Sequence, residues 1–279
     1  MKNLRKINKY IPFFKAGIKT FLVYKAQTFM WLFISVVEIF FVFFLYQAIY
    51  KNNVDGMNAV INGFTFYEIL LYASSSFVFG FALSDDVSER IYQDVKEGTV
   101  VNSLTKPVSY RLRQLFTSLG GSIIQFIFVA IPLLTVLYTV FIVLGFVEYT
   151  IGEFLLNLLF FLIFYFISLF VNNSIMYLIG ILCFFTEHIF GLNLLVSAFR
   201  SFLAGSVVPF AFMGAIGKIL PYNPFAFLSS TPIQVLMNRV SIGNTLMYIG
   251  IGVAWILFFE LINKLIFSYC MRRLVVQGG

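Results

Sequence analysis

Residues 154–183, FLLNLLFFLIFYFISLFVNNSIMYLIGILC, run for thirty positions without a charged side chain. About 20 apolar residues suffice for a helix to cross the roughly 30 Å hydrocarbon core of a bilayer. The apolar character is continuous rather than alternating, which argues against barrel strands. Working outward, similar runs predict further spans at roughly 27–49, 64–84, 115–145, 189–208 and 244–267, six in all with the first. The bulk figures agree. Of the 279 residues 60% are hydrophobic and 11% charged, against about a quarter charged in soluble domains. The expected fold is an all-α polytopic membrane protein, a single transmembrane domain over residues 1–279.

The start, MKNLRKINKYIPFFK, is basic but lacks the short apolar core and small-residue cleavage site of a secretory signal. Over residues 1–26, basic side chains (Arg5, Lys6, Lys9, Lys15, Lys19, Lys25) are mixed with Ile, Phe and Leu. That mixture predicts a helix lying in the headgroup plane rather than an unstructured basic flank, because its apolar residues would otherwise sit in water. Charge then orients the chain. The N-terminal segment carries seven Lys/Arg, the 85–114 loop five and the tail from Lys264 three, whereas 50–63 carries Lys51 alone and 146–153 none. The positive-inside rule places both termini and the 85–114 loop in the cytoplasm. Cys183 and Cys270 are far apart in sequence, in or beside apolar helices, and suggest neither a disulfide framework nor a metal site.

Eight of the chain's few charges fall in DDVSERIYQDVKEGTVVNSLTKP, residues 85–107. From about Ser84 to Glu97 the pattern predicts an amphipathic cytoplasmic helix. Val87, Ile91 and Val95 recur every four residues, with Asp86, Arg90 and Asp94 on another face. Gly98 is a fitting stop, glycine being favoured just past a helix end. Such a helix suits docking onto a soluble partner; a solvated connector is the alternative on the pattern alone.

Here the sequence resembles a family. Arg90-Ile91-Tyr92-Gln93-Asp94-Val95-Lys96-Glu97-Gly98-Thr99, ending at Leu104-Thr105-Lys106-Pro107, looks like the signature of type-2 ABC transporter permeases, the membrane subunits of many bacterial ABC exporters. Leu220-Pro221-Tyr222-Asn223-Pro224-Phe225-Ala226-Phe227 with Thr231-Pro232-Ile233-Gln234 is similar to a second motif of that family. Phe202-Leu203-Ala204-Gly205-Ser206-Val207-Val208-Pro209 resembles a third. The order of interfacial helix, two spans, charged loop and four spans matches as well. Thr99-Val100-Val101-Asn102 departs from relatives that carry an acidic residue after the glycine. The resemblance implies that 85–114 is the coupling loop, seated in a groove of a separate ATPase, with Glu89, Arg90, Asp94, Lys96, Glu97 and Gly98 at its core. It also implies cytoplasmic ABC ATPase subunits and a second permease subunit as partners, with ATP and Mg used by the ATPase, and residence in a bacterial cell membrane.

Two features fit this division of labour. No G-x-x-x-x-G-K-[ST] phosphate loop is present, so the chain binds no ATP by that means and the work is expected of a partner. No cofactor and no nucleic acid is expected either. Four of the seven prolines lie between Pro209 and Pro232, with Gly205, Gly214 and Gly217 among them or beside them. Proline breaks helices, so 205–243 is expected to be an outer re-entrant segment of short helices, tolerated at membrane depth only where protein or a cavity satisfies its backbone. In the resembled family this region closes the outer end of the pathway, with Gly205, Pro209, Pro221, Pro224 and Pro232 as its turning points. A loop wedged among headgroups is the other reading.

Ionisable residues within spans call for a reason. Glu260 has Lys264 four residues on, a favourable helical order. Glu38 and Arg200 have no local partner. They pair across helices or line a path on one reading; on the other, Glu38 is neutral among helices and Arg200 snorkels outward. His188 is read as a polar end-of-helix residue. Ser76-Gly80-Ser84 and Ser197-Ser201-Gly205 are candidate close-packing seams. The exporter reading, with an amphipathic cargo, has two rivals: an ion-coupled transporter or channel using Glu38 and Arg200, and an intramembrane enzyme. No H-E-x-x-H, G-x-S-x-G or clustered Asp/His/Glu supports the last.

Overall fold

The computed structural model describes residues 8–23, 25–53, 56–83, 86–100, 107–146, 150–186 and 189–273. His188, Ser84 and the Leu104–Lys106 part of the loop motif lie outside them. The described elements are helical, apart from one isolated bridge between Ile61 and Phe64. In chain order they are α1 (Ile11–Val23), α2 (Lys25–Lys51), α3 (Phe66–Ala82), α4 (Val87–Lys96), α5 (Tyr110–Gln125), α6 (Ile131–Val143), α7 (Ile151–Ile181), α8 (Phe190–Leu203), α9 (Ser230–Leu236) and α10 (Ile242–Arg273). A π-helical turn over Phe126–Ala130 joins α5 to α6 into one long rod.

Five stretches are long and apolar enough to cross a membrane: Phe33–Lys51, Phe66–Lys96, Tyr110–Val143, Ile151–Phe184 and Ile242–Arg272. The chain is therefore a multi-pass, all-helical membrane protein. The span expected at 189–208 is shorter than that expectation. α8 has 14 residues, about 21 Å at the helical rise, where roughly 30 Å is needed. It stops because the backbone turns at Gly205 (φ 66°), where the Phe210 ring packs against the space a Cβ would take. A β-carbon favours neither that φ nor that contact.

The N-terminal helix is present from Ile11, and it packs along α5 rather than lying on the rest of the protein loosely. A Cβ on Gly17 would fall 2.0 Å from the Thr117 carbonyl oxygen, and one on Gly120 would fall 2.1 Å from that of Phe14. The two backbones touch only because both residues lack a side chain. Lys9 donates to the Pro107 carbonyl (2.8 Å), and Tyr10 Oη accepts from the Ser109 amide (3.0 Å). This seam is not among the small-residue stripes expected from the sequence, and a Cβ on Gly80 would meet nothing within 4 Å.

α7 is the central post, 31 residues and about 46 Å long. One face is buried by aromatic packing. Phe126 stacks on Tyr165 at 3.7 Å, and Phe79 meets Phe161 at 5.4 Å. Tyr165 donates to the Ser122 carbonyl (2.9 Å), and Gln125 to that of Phe81 (2.9 Å). Outward lies a belt of exposed apolar side chains, among them Phe33, Phe40, Phe41 and Phe44 on α2 and Leu257, Phe258, Leu261 and Leu265 on α10. In water such a surface would be strongly unfavourable; in hydrocarbon it is the expected exterior.

Candidate functional site

The charged segment forms α4, a short ten-residue helix whose sequence sorts it into two faces. Val87, Ser88 and Ile91 are buried against the end of α7, where Gly180 leaves room. A Cβ there would lie 2.8 Å from Ile91 Cδ1 and 3.1 Å from Ser88 Cα. Ser88 donates to Asn193 Oδ1 of α8 (3.1 Å). The helix ends at Glu97, and Gly98 follows with φ 70°, the left-handed stop that the sequence predicts.

The charges divide between these faces. Asp94 turns inward and is a hub. Its carboxylate accepts from Tyr110 Oη (2.8 Å), Gln114 Nε2 (3.2 Å) and Thr99 Oγ1 (3.1 Å), and pairs with the Arg113 guanidinium (2.5 Å). Arg90 reaches Gln114 Oε1 (3.3 Å) and pairs with Asp86. Glu89, Gln93, Lys96, Glu97 and Gly98 are exposed. Gln93 donates to Glu89 (2.9 Å), and the Lys96 ammonium lies 5.6 Å from the Tyr92 ring centre. Of the six residues marked out from sequence, two therefore tie α4 to the protein and four face away from it.

The hub continues into the membrane-spanning helices through residues that sequence reasoning passed over. Arg111, two positions from Arg113, pairs with Glu260 on α10 and bonds to Asn173 and Ser174 (2.9 Å) on α7. Ser174 also donates to Glu260 (2.9 Å). Glu260 is thus held across helices by Arg111, a correction to the local pairing with Lys264 expected from sequence. A signal was available. Arg111 and Arg113 stand in the first turn of α5, where the helix dipole disfavours cations, so partners elsewhere had to offset them.

The other singled-out residues fall in different places. Arg200 does not snorkel outward: it donates to Asn172 Oδ1 (3.0 Å), whose Nδ2 donates to the Leu83 carbonyl (2.8 Å) at the end of α3. Glu38 is exposed on α2, on the apolar exterior, and is not brought near Arg200 by any bond among the described residues.

At the end of the protein remote from α4, residues 205–236 form four 3₁₀ turns and α9. Their carbonyls are satisfied by side chains from the long helices. Tyr72 donates to Gly205 (2.6 Å), Tyr46 to Val207 (2.7 Å), Trp255 to Tyr222 (2.9 Å) and Ser168 to Phe227. Pro209, Pro221 and Pro224 each start or open a turn, Pro232 stands in the first turn of α9, and Asn223 caps Phe225 (2.7 Å) and Ala226 (3.1 Å). Beside it, Arg239 pairs with Glu68 at 2.7 Å and covers the Phe64 ring at 3.7 Å.

A search of curated proteins returned no match. The model of one family, described as ABC-2 family transporter protein, matches residues 36–278. That range takes in α4, its partners on α5, α7 and α10, and the broken 205–236 segment. The chain belongs to the ABC-2 transporter family, whose members are membrane permease subunits of ABC transporters.

Proposed function

We propose that this chain is the permease subunit of an ATP-driven exporter in a bacterial cell membrane, and that the outer face of α4 is where a separate ATPase seats. The carrying observation is the two-faced helix. Its inner face is fastened to α5, α7 and α8, while Glu89, Gln93, Lys96 and Glu97 stay free for another surface. A partner that pushes on α4 moves α7 through apolar contact at Gly180, and α5 through the Asp94 hub. Arg111 passes the displacement to Glu260 on α10. This reading puts α4 and both termini in the cytoplasm. Two permeases, identical or related, and two ATPase subunits would complete the machine. ATP and Mg would be bound by the ATPase, whose cycle shifts the population between inward- and outward-facing states.

The 205–243 segment would close the outer end, its turns held by Tyr46, Tyr72, Ser168 and Trp255. An amphipathic cargo such as a drug, antibiotic, peptide or lipid-like molecule suits the aromatic interior. The ion-coupled alternative needs Glu38 and Arg200 to act together, and Arg200 is engaged with Asn172. The test is co-purification with candidate ABC ATPases of the same cell, and it uses charge reversal at two exposed positions. Wild type should retain its ATPase, and Glu89→Arg/Glu97→Arg should lose it while keeping its melting temperature. A wild-type protein that holds no ATPase sinks the proposal.

A further inference from the structure

Between the α4-side ends of α5, α7 and α10 lies a cavity of about 850 Å³. Its lining combines charge, aromatic surface and unused hydrogen-bonding capacity. Arg111, Lys264 and Arg272 face it against the single carboxylate of Glu260, and Glu260 is already paired with Arg111. The surplus is two positive charges. The N-terminal turn of α5 adds the positive end of a helix dipole. Two of the lining residues, Tyr177 and Asn263, are each only 1% exposed, and their Oη and Oδ1 atoms are buried without a hydrogen-bond partner. Buried polar groups are normally satisfied, so a ligand group that reached in from the cavity would gain both bonds. Tyr177 supplies a donor and Asn263 an acceptor. Stacked rings of Tyr110 and Phe267 (5.8 Å) form an apolar wall, and Leu261 and Leu265 continue it on the exposed exterior of α10.

We propose that this cavity binds the headgroup of an anionic phospholipid carrying a phosphodiester and a free hydroxyl. The phosphate would sit against Lys264, Arg272 and the Tyr177 hydroxyl. The headgroup hydroxyl would donate to Asn263 Oδ1, and the acyl chains would leave along α10. Basic pockets between transmembrane helices on the cytoplasmic side are suited to such headgroups, and the side rests on the orientation proposed above. A phosphate here also competes with Glu260 for Arg111. Occupancy therefore loosens the link from α5 to α10, through which α4 acts.

The test titrates the purified permease, without ATPase, with phosphatidylglycerol or phosphatidylcholine and counts bound lipids by native mass spectrometry. Wild type should prefer phosphatidylglycerol by about tenfold or more, and Lys264→Gln/Arg272→Gln should abolish the preference. Lys51→Gln/Lys218→Gln, which removes equal charge at the far end, should keep it. Tyr177→Phe retains the ring and should weaken binding several-fold at an unchanged melting temperature. Equal binding of the two lipids, or equal losses in both double variants, overturns the proposal. Displacement of the lipid by inorganic phosphate alone also overturns it, since the site would then serve a soluble anion. Lipid preference without ATPase association would leave the cavity standing and remove the exporter reading; association without preference would do the reverse.

Discussion

Asp94 shows how one side chain can be mistaken for its neighbours. In the sequence it is one acidic residue among several on a charged helix. In the fold it has four partners on α5 and the following turn, and its side chain is 22% exposed. Replacing it with Asn keeps the shape and an acceptor but takes the Asp94 charge away from the Arg113 guanidinium. Breaking a partly buried charged hydrogen bond costs about 1–3 kcal/mol. Asp94→Asn should therefore lower the melting temperature and reduce cargo-stimulated ATP hydrolysis, yet keep the ATPase bound. Loss of ATPase binding in that variant would mean that Asp94 faces the partner after all. Glu97→Gln should behave oppositely, with stability unchanged and association weakened, because that side chain is exposed. The alternation of charge every three or four residues was legible. Which charges turned inward was not, because that depended on Arg113 and Gln114, nearly twenty residues away.

Among elements, the most tightly specified contact is the one between α1 and α5. Gly17 and Gly120 bring two backbones together, and a Cβ at either would fall about 2 Å from a carbonyl oxygen. That overlap is with main chain, so no rotamer relieves it. Gly17→Ala should push α1 away from α5 and loosen the helix that carries the exposed lysines at 15 and 19. Trypsin should then cut the N-terminal segment faster, with the rest of the digestion pattern unchanged; equal rates would show that the helices part without cost. The helices themselves were readable from long apolar runs, since lipid leaves the backbone few alternatives to a helix. Their seams were not, because Gly17 lies in a segment read for its lysines and Gly120 in a run of small residues with no marked partner. α8 is shorter than expected for a related reason. The run 189–208 is apolar enough to span, and the chain does pass from Asn193 beside α4 to Gly205 at the other end, but the helical part stops at Leu203.

For the whole molecule, the arrangement of ends ties the separate sites together. α4, the Asp94 hub and the Arg111–Glu260 pair occupy one end of the helix bundle; the Glu68–Arg239 pair and the broken 205–236 segment occupy the other. Transport across the membrane requires these two ends to face different compartments, and the proposed orientation puts α4 in the cytoplasm. The two native cysteines are suited to a test, because both Cys183 and Cys270 are buried and should give little background with a membrane-impermeant maleimide. Cysteines introduced at exposed Asn52 and Ser241 should react in intact cells. One at Glu97, exposed beside α4, should react only after the membrane is opened. The reverse pattern would invert the topology, and an ATPase could then no longer reach the free face of α4. Labelling of all three in intact cells would mean that the two ends are not separated by a bilayer. In the expected pattern, adding the ATPase to opened membranes should shield Glu97→Cys and leave Ser241→Cys reactive. That difference would locate the contact on α4 and show that the far end stays free of it.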